Sequence, residues 1–141
     1  MDHFKGRPYE TVFETLVRKA YPLVNRLRNP MRHTVNRRPT VVHHGGKRDH
    51  YFAIYQCFYK QQYELPVPLF SPDFHATAVD AYSRALVGAG RQPLIVECGA
   101  NIGASAVWFH ARHPGCRIVA IEPAGENLAL LHRNVDGLGS P

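Results

Sequence analysis

The sequence predicts an α/β fold with a doubly wound parallel sheet, and three observations in residues 93–141 predict it. Leu94-Ile95-Val96 and Ile118 to Ile121 are short, uninterrupted apolar runs, the pattern of strands buried on both faces of such a sheet. A turn containing Gly99 and Gly103 follows the first run and leads into an apolar helix, Ala104 to Arg112. Each run ends in an acid, Glu97 and Glu122, where ligands of these sheets sit. Strand, glycine turn, helix, strand, acid is a βαβ unit of Rossmann-like type, and a second helix follows it.

The segment before this unit divides in two. Residues 1–50 are expected to form a basic helical arm and linker, and residues 51–92 an aromatic-rich, helical lead-in. Tyr9 to Arg28 repeats apolar residues at three- and four-residue steps, as an amphipathic helix does. Pro8 suits its first position, Pro30 lies beyond its end, and Pro22 should kink or divide it. Residues 29–50 show little periodicity and read as an irregular, solvated linker containing His43, His44 and His50. Adjacent histidines point apart and no acid or cysteine completes a ligand spacing, so no metal site is expected.

Tyr51 to Tyr63 carries Phe52, Tyr55, Tyr59 and Tyr63 at helical spacing, which predicts aromatic packing. Leu65 to Ser71, with Pro66 and Pro68, should be extended. Ser71 then caps a helix with Pro72 at its first position, whose apolar face runs from Phe74 to Leu86. Gly88 and Gly90 end that helix and deliver the chain to the first strand.

Composition sets outer bounds. The 141 residues are 45% hydrophobic and 11% aromatic, which describes a globular domain and not a disordered tail. No apolar run approaches the roughly 20 residues that span a bilayer, and the first residues lack the apolar core of a signal peptide. Cys57, Cys98 and Cys116 are odd in number and widely spaced, consistent with free thiols in a reducing cytoplasm. Residues 1–50 hold 11 Lys/Arg against 4 Asp/Glu, whereas residues 51–141 hold 6 against 7. The basicity therefore belongs to the arm and not to the ligand-binding half.

The glycine turn narrows the ligand. Glu97-Cys98-Gly99-Ala100-Asn101-Ile102-Gly103 lacks the middle glycine of a dinucleotide fingerprint and the Gly-Lys-Ser/Thr of a triphosphate loop. An acid at the first strand's end repels a pyrophosphate but suits a ligand bearing an ammonium group. S-adenosylmethionine is such a ligand. Gly99 lets backbone approach its methionine part, and Gly103 lets the helix pack close to the strand. Glu122, at the tip of the second strand, is positioned to accept both ribose hydroxyls. Glu97, Gly99, Ala100, Asn101, Gly103 and Glu122 are thus the candidate cofactor-binding residues.

The same residues carry a family resemblance. Ile95 to Gly103, then Val119-Ala120-Ile121-Glu122-Pro123, Glu126-Asn127, Leu131 and Asn134, resemble the FkbM-type S-adenosylmethionine-dependent methyltransferases. The aromatics before Tyr63-Glu64-Leu65-Pro66 are similar, more loosely, to the segment preceding that core. The resemblance implies a class I methyltransferase sheet and methyl transfer to an oxygen, usually a hydroxyl of a sugar or secondary metabolite. It implies that the glycine turn and the second acid hold the cofactor. It also implies further strands, so the chain reads as the N-terminal part of a longer enzyme. His75, His110, His113 and His132 are available as bases; the last three are expected on the surface, and none is assigned. Two alternatives stand: a non-enzymatic module whose basic arm docks on an acidic membrane surface or partner, and half of an NAD-dependent oxidoreductase. Nucleic-acid binding has no reader motif to support it.

Overall fold

A computed structural model describes residues 15, 19, 20, 29–64 and 78–138. Thr15, Lys19 and Ala20 are helical, while the rest of the amphipathic segment, the Leu65–Ser71 stretch and the Ser71 cap lie outside the described residues.

The architecture is mixed α/β. Strands β1 (Met31–Val35) and β2 (Arg38–Val42) form an antiparallel hairpin. Helix α1 (Arg48–Ile54) runs into a π-helical turn, Tyr55–Tyr59, and a short 3-10 turn, Gln62–Glu64. Helix α2 (Asp80–Gly88), strand β3 (Leu94–Cys98), helix α3 (Ala104–Arg112), strand β4 (Arg117–Ile121) and helix α4 (Gly125–Val135) complete the order. β3 and β4 pair in parallel, with Leu94 opposite Arg117 and Cys98 opposite Ile121. The βαβ unit is therefore present as a two-stranded parallel sheet.

Helix α3 is the centre of the packing. Ala104, Ala106, Val107, Trp108 and Ala111 are buried, and the helix contacts β1, β2, α1, the π turn, β4 and α4. Small residues let neighbouring backbones come close, while Trp108, 2% exposed, fills the space between them. Met31, Val35 and Val42 of the hairpin, Tyr51 and Ile54 of α1, and Cys57 of the π turn close the same core. Tyr63 packs on Trp108 and Phe109 with ring centroids 5.7 and 4.8 Å away. Of the four aromatics at helical spacing, Tyr55 is buried and Tyr63 packs against the core, whereas Phe52 and Tyr59 are 41% and 57% exposed, so the expected packing face holds only in part.

Several expectations need correction. Residues 29–50 are not an irregular linker: they hold the hairpin and the start of α1. Asn36 and Arg37 both take positive φ, 48° and 63°, as the two central residues of a tight hairpin turn. His44 and His50 are buried, not solvated. His50 Nδ1 accepts the Gly45 N–H at 3.0 Å, so the proton sits on Nε2 and is donated to Asn127 Oδ1 at 3.2 Å. His50 thereby ties the loop to α4, while the His44 backbone pairs with the Asn29 side chain.

The strands β3 and β4 are not buried on both faces. Leu94, Val96 and Ile121 are 57%, 55% and 50% exposed, while Ile95, Ile118 and Ala120 face the helices. The helices cover one face of the sheet and leave the other apolar face open among the described residues. Helix α2 likewise buries none of its residues, and Tyr82 and Val87 are exposed. Its ties to the body include Asp80, whose carboxylate accepts from both Arg112 guanidinium nitrogens at 3.0 and 3.3 Å and lies 3.4 Å from His113 Nδ1, and Ser83, whose hydroxyl lies 3.8 Å from Cys116 Sγ. His113 is accordingly half-buried against an acid and not a free surface group.

Candidate functional site

The glycine turn is strapped across the tip of the sheet. The N–H groups of Gly99 and Ala100 both donate to the Ile121 carbonyl, at 2.8 and 3.0 Å, and Gly103 N–H donates to Ala100 at 2.7 Å. Gly99, Asn101 and Gly103 have φ of 82°, 50° and 80°, a left-handed path that β-branched or bulky residues do not tolerate. Ala100 and Ile102 are buried and anchor the turn. A Cβ added at Gly99 would meet no atom within 4 Å, so that backbone face is open. A Cβ at Gly103 would lie 2.7 Å from Leu131 Cδ1. Gly103 therefore permits close packing of α4 on the turn, and not of α3 on the strand as the spacing alone suggests.

Glu122 follows β4 and holds the turn in place. Its Oε2 accepts the Asn101 N–H at 2.8 Å and its Oε1 accepts the Ala124 N–H at 2.9 Å. The Ala124 amide is the main cause that keeps the carboxyl below its ordinary value; desolvation opposes it, and the Asn101 amide and the Asn127 side chain add to the lowering. An ionised carboxylate accepts about four hydrogen bonds, so beside the Asn101, Ala124 and Asn127 donors about one lone pair is left for a further donor.

Glu97 behaves differently. It points to the helix side of β3, where the Ser105 hydroxyl donates to Oε1. Its Oε2 is buried and has no partner among the described residues. Burial pushes the carboxyl up to about 7. The Cys57 thiol and Tyr63 hydroxyl lie in the same neighbourhood. Burial, and then Glu97, push Cys57 up to about 12 against an opposing Ser105 hydrogen bond, so this thiol is a poor nucleophile. Tyr63 is raised first by burial and then by Cys57.

The structure thus gathers Gly99, Ala100, Asn101, Gly103 and Glu122 into one strapped turn. It does not pair Glu97 with Glu122, since each carboxylate has its own partners. Ser105, Cys57 and Tyr63 around Glu97 escaped the sequence reading. The signal for Ser105 was present: it is a polar residue in the first turn of an otherwise apolar helix, eight positions after Glu97. Among the described residues no group of three or more His, Cys, Asp or Glu is arranged around a metal-sized site. Two clefts, of about 430 and 350 Å³, lie on the helix side, and the glycine turn lines neither. No helix among the described residues is long and apolar enough to cross a membrane. The chain matches no known family, no curated protein and no solved structure.

Proposed function

We propose that residues 93–141 form the cofactor-binding start of an S-adenosylmethionine-dependent methyltransferase of FkbM type, acting on a hydroxyl of a sugar or secondary metabolite. The supporting observation is the open backbone face of Gly99 beside a carboxylate, Glu122, that amide hydrogen bonds hold ionised. An ionised acid with a lone pair to spare suits a ribose hydroxyl. A buried Glu97 oxygen without a partner, on a carboxyl pushed up to about 7, suits a ligand that brings its own ammonium group. The residues present therefore fit the cofactor. The open outer face of β3 and β4 suits a doubly wound sheet, which has helices on both faces.

In this reading the cofactor supplies an activated methyl group, and the protein aligns an acceptor oxygen opposite the departing sulfur and excludes water. Gly99 gives backbone access, Asn101 and Glu122 fix the turn, and Glu97 provides the compensating charge.

Calorimetric titration of the chain with S-adenosylmethionine tests this directly. Saturable binding in the micromolar range, lost in Glu122→Ala, is the expected result. Binding of NAD in place of S-adenosylmethionine, or binding of the latter that ignores Glu122→Ala, would overturn it.

A further inference from the structure

The larger cleft, about 430 Å³, lies between β2, α3 and the end of α4, away from the glycine turn. Arg38, His43, His110 and Arg133 line it, and its lining contains no Asp or Glu. Neither Arg38 nor Arg133 has an ion-pair partner among the described residues. Helix dipoles explain part of this charge, because His110 and Arg133 stand near the carboxyl ends of α3 and α4. They do not explain Arg38 and His43, which the hairpin and the loop after it contribute.

A second observation points to a ligand. Thr40 lines the cleft and is only 7% exposed, yet its hydroxyl has no hydrogen-bond partner among the described residues. Buried hydroxyls are nearly always paired, and this one has a cationic cleft beside it. Val107, Ala111 and Leu138 supply an apolar wall.

We propose that this cleft binds the phosphate monoester of a small metabolite, with Arg38 and Arg133 as the charge clamp and Thr40 as a hydroxyl donor. Two permanent guanidinium charges without a compensating acid match one dianion better than a monoanion. Desolvation, with Arg133 and His44 nearby, holds His43 below its ordinary value. The volume falls within the range of small-molecule sites, and the cations converge on one cleft instead of forming a stripe along a surface.

The test is titration of the chain with phenyl phosphate, with inorganic phosphate, benzoate and a short single-stranded RNA as parallel probes. Phenyl phosphate is expected to saturate one site and to bind more tightly than inorganic phosphate or benzoate. Arg38→Gln and Arg133→Gln, both at exposed positions, should each weaken it about tenfold. Thr40→Val should weaken it several-fold while leaving the melting temperature unchanged or raised, since it removes an unpaired buried hydroxyl. Equal loss in Arg91→Gln, at an exposed position outside the cleft lining, would mean general charge attraction and overturn the proposal. RNA binding that phenyl phosphate does not displace, or phenyl phosphate binding that all three cleft variants leave intact, would also overturn it.

Discussion

The Glu122 carboxylate accepts the backbone N–H of Asn101 across 21 residues of sequence, at 2.8 Å. Asn101 has φ of 50°, so the acid clamps the glycine turn at one of its left-handed residues. Removing the carboxylate strands two amides at once, those of Asn101 and Ala124. Glu122→Ala should therefore destabilise the chain by about 1–2 kcal/mol, because both amides lie near solvent and water partly replaces the acid. Denaturant unfolding checks this. The sign with pH follows from the depressed carboxyl: the contribution is present above the ordinary carboxylate value and is lost as pH falls through the lower folded one.

Glu97 carries the opposite sign. Its folded value, about 7, lies above the ordinary 4.5, so the fold retains a proton that the unfolded chain releases. Stability from this residue is full below 4.5 and is lost as pH rises toward 7. Glu97→Gln keeps an acceptor for Ser105 and removes the titration. Stability at pH values above 7 should rise by about 1–2 kcal/mol after solvent screening, and its slope between 4.5 and 7 should flatten. Thermal melts across that range measure it. The same substitution should weaken S-adenosylmethionine binding, since the compensating charge is gone.

Two glycines with nearly equal φ should respond unequally to a methyl group. Gly99→Ala meets no atom and pays only the left-handed backbone cost, about 1 kcal/mol. Gly103→Ala pays the same cost and also drives Leu131 aside, for about 2–4 kcal/mol in total. Equal melting temperatures for the two variants would refute the packing role of Gly103.

The hairpin turn offers a stabilising change. Arg37 sits at φ of 63°, where glycine is favoured, and the turn between β1 and β2 has two residues. Arg37→Gly should raise stability by about 0.5–1 kcal/mol, read as a higher melting temperature.

That turn also shows why the hairpin was not legible in the sequence. Asn36-Arg37 lacks the glycine that marks a two-residue hairpin, Pro39 interrupts the second strand, and the flanks are rich in Arg and His. The βαβ unit was legible because Leu94–Val96, Gly99, Gly103 and Ile118–Ile121 agree on one local answer. The exposure of the outer sheet face was not, since an apolar run reads the same whether neighbours cover one face or two. Gly99 and Glu122 were placed correctly at the strand tips. The burial of Glu97 beside Ser105 and Cys57 was not legible, because tertiary packing alone brings those residues near.

Asn134 joins parts of the molecule that the chain order keeps apart. Its amide nitrogen donates to the carbonyls of His43 and Ile102 at 2.9 and 2.7 Å, and its oxygen accepts the His43 N–H at 2.6 Å. One carboxamide thus serves both the wall of the cationic cleft and the floor of the glycine turn. A ligand in the cleft and a ligand on the glycine turn would both bear on this carboxamide, so any coupling between them would be reciprocal, each altering the other's affinity by the same factor.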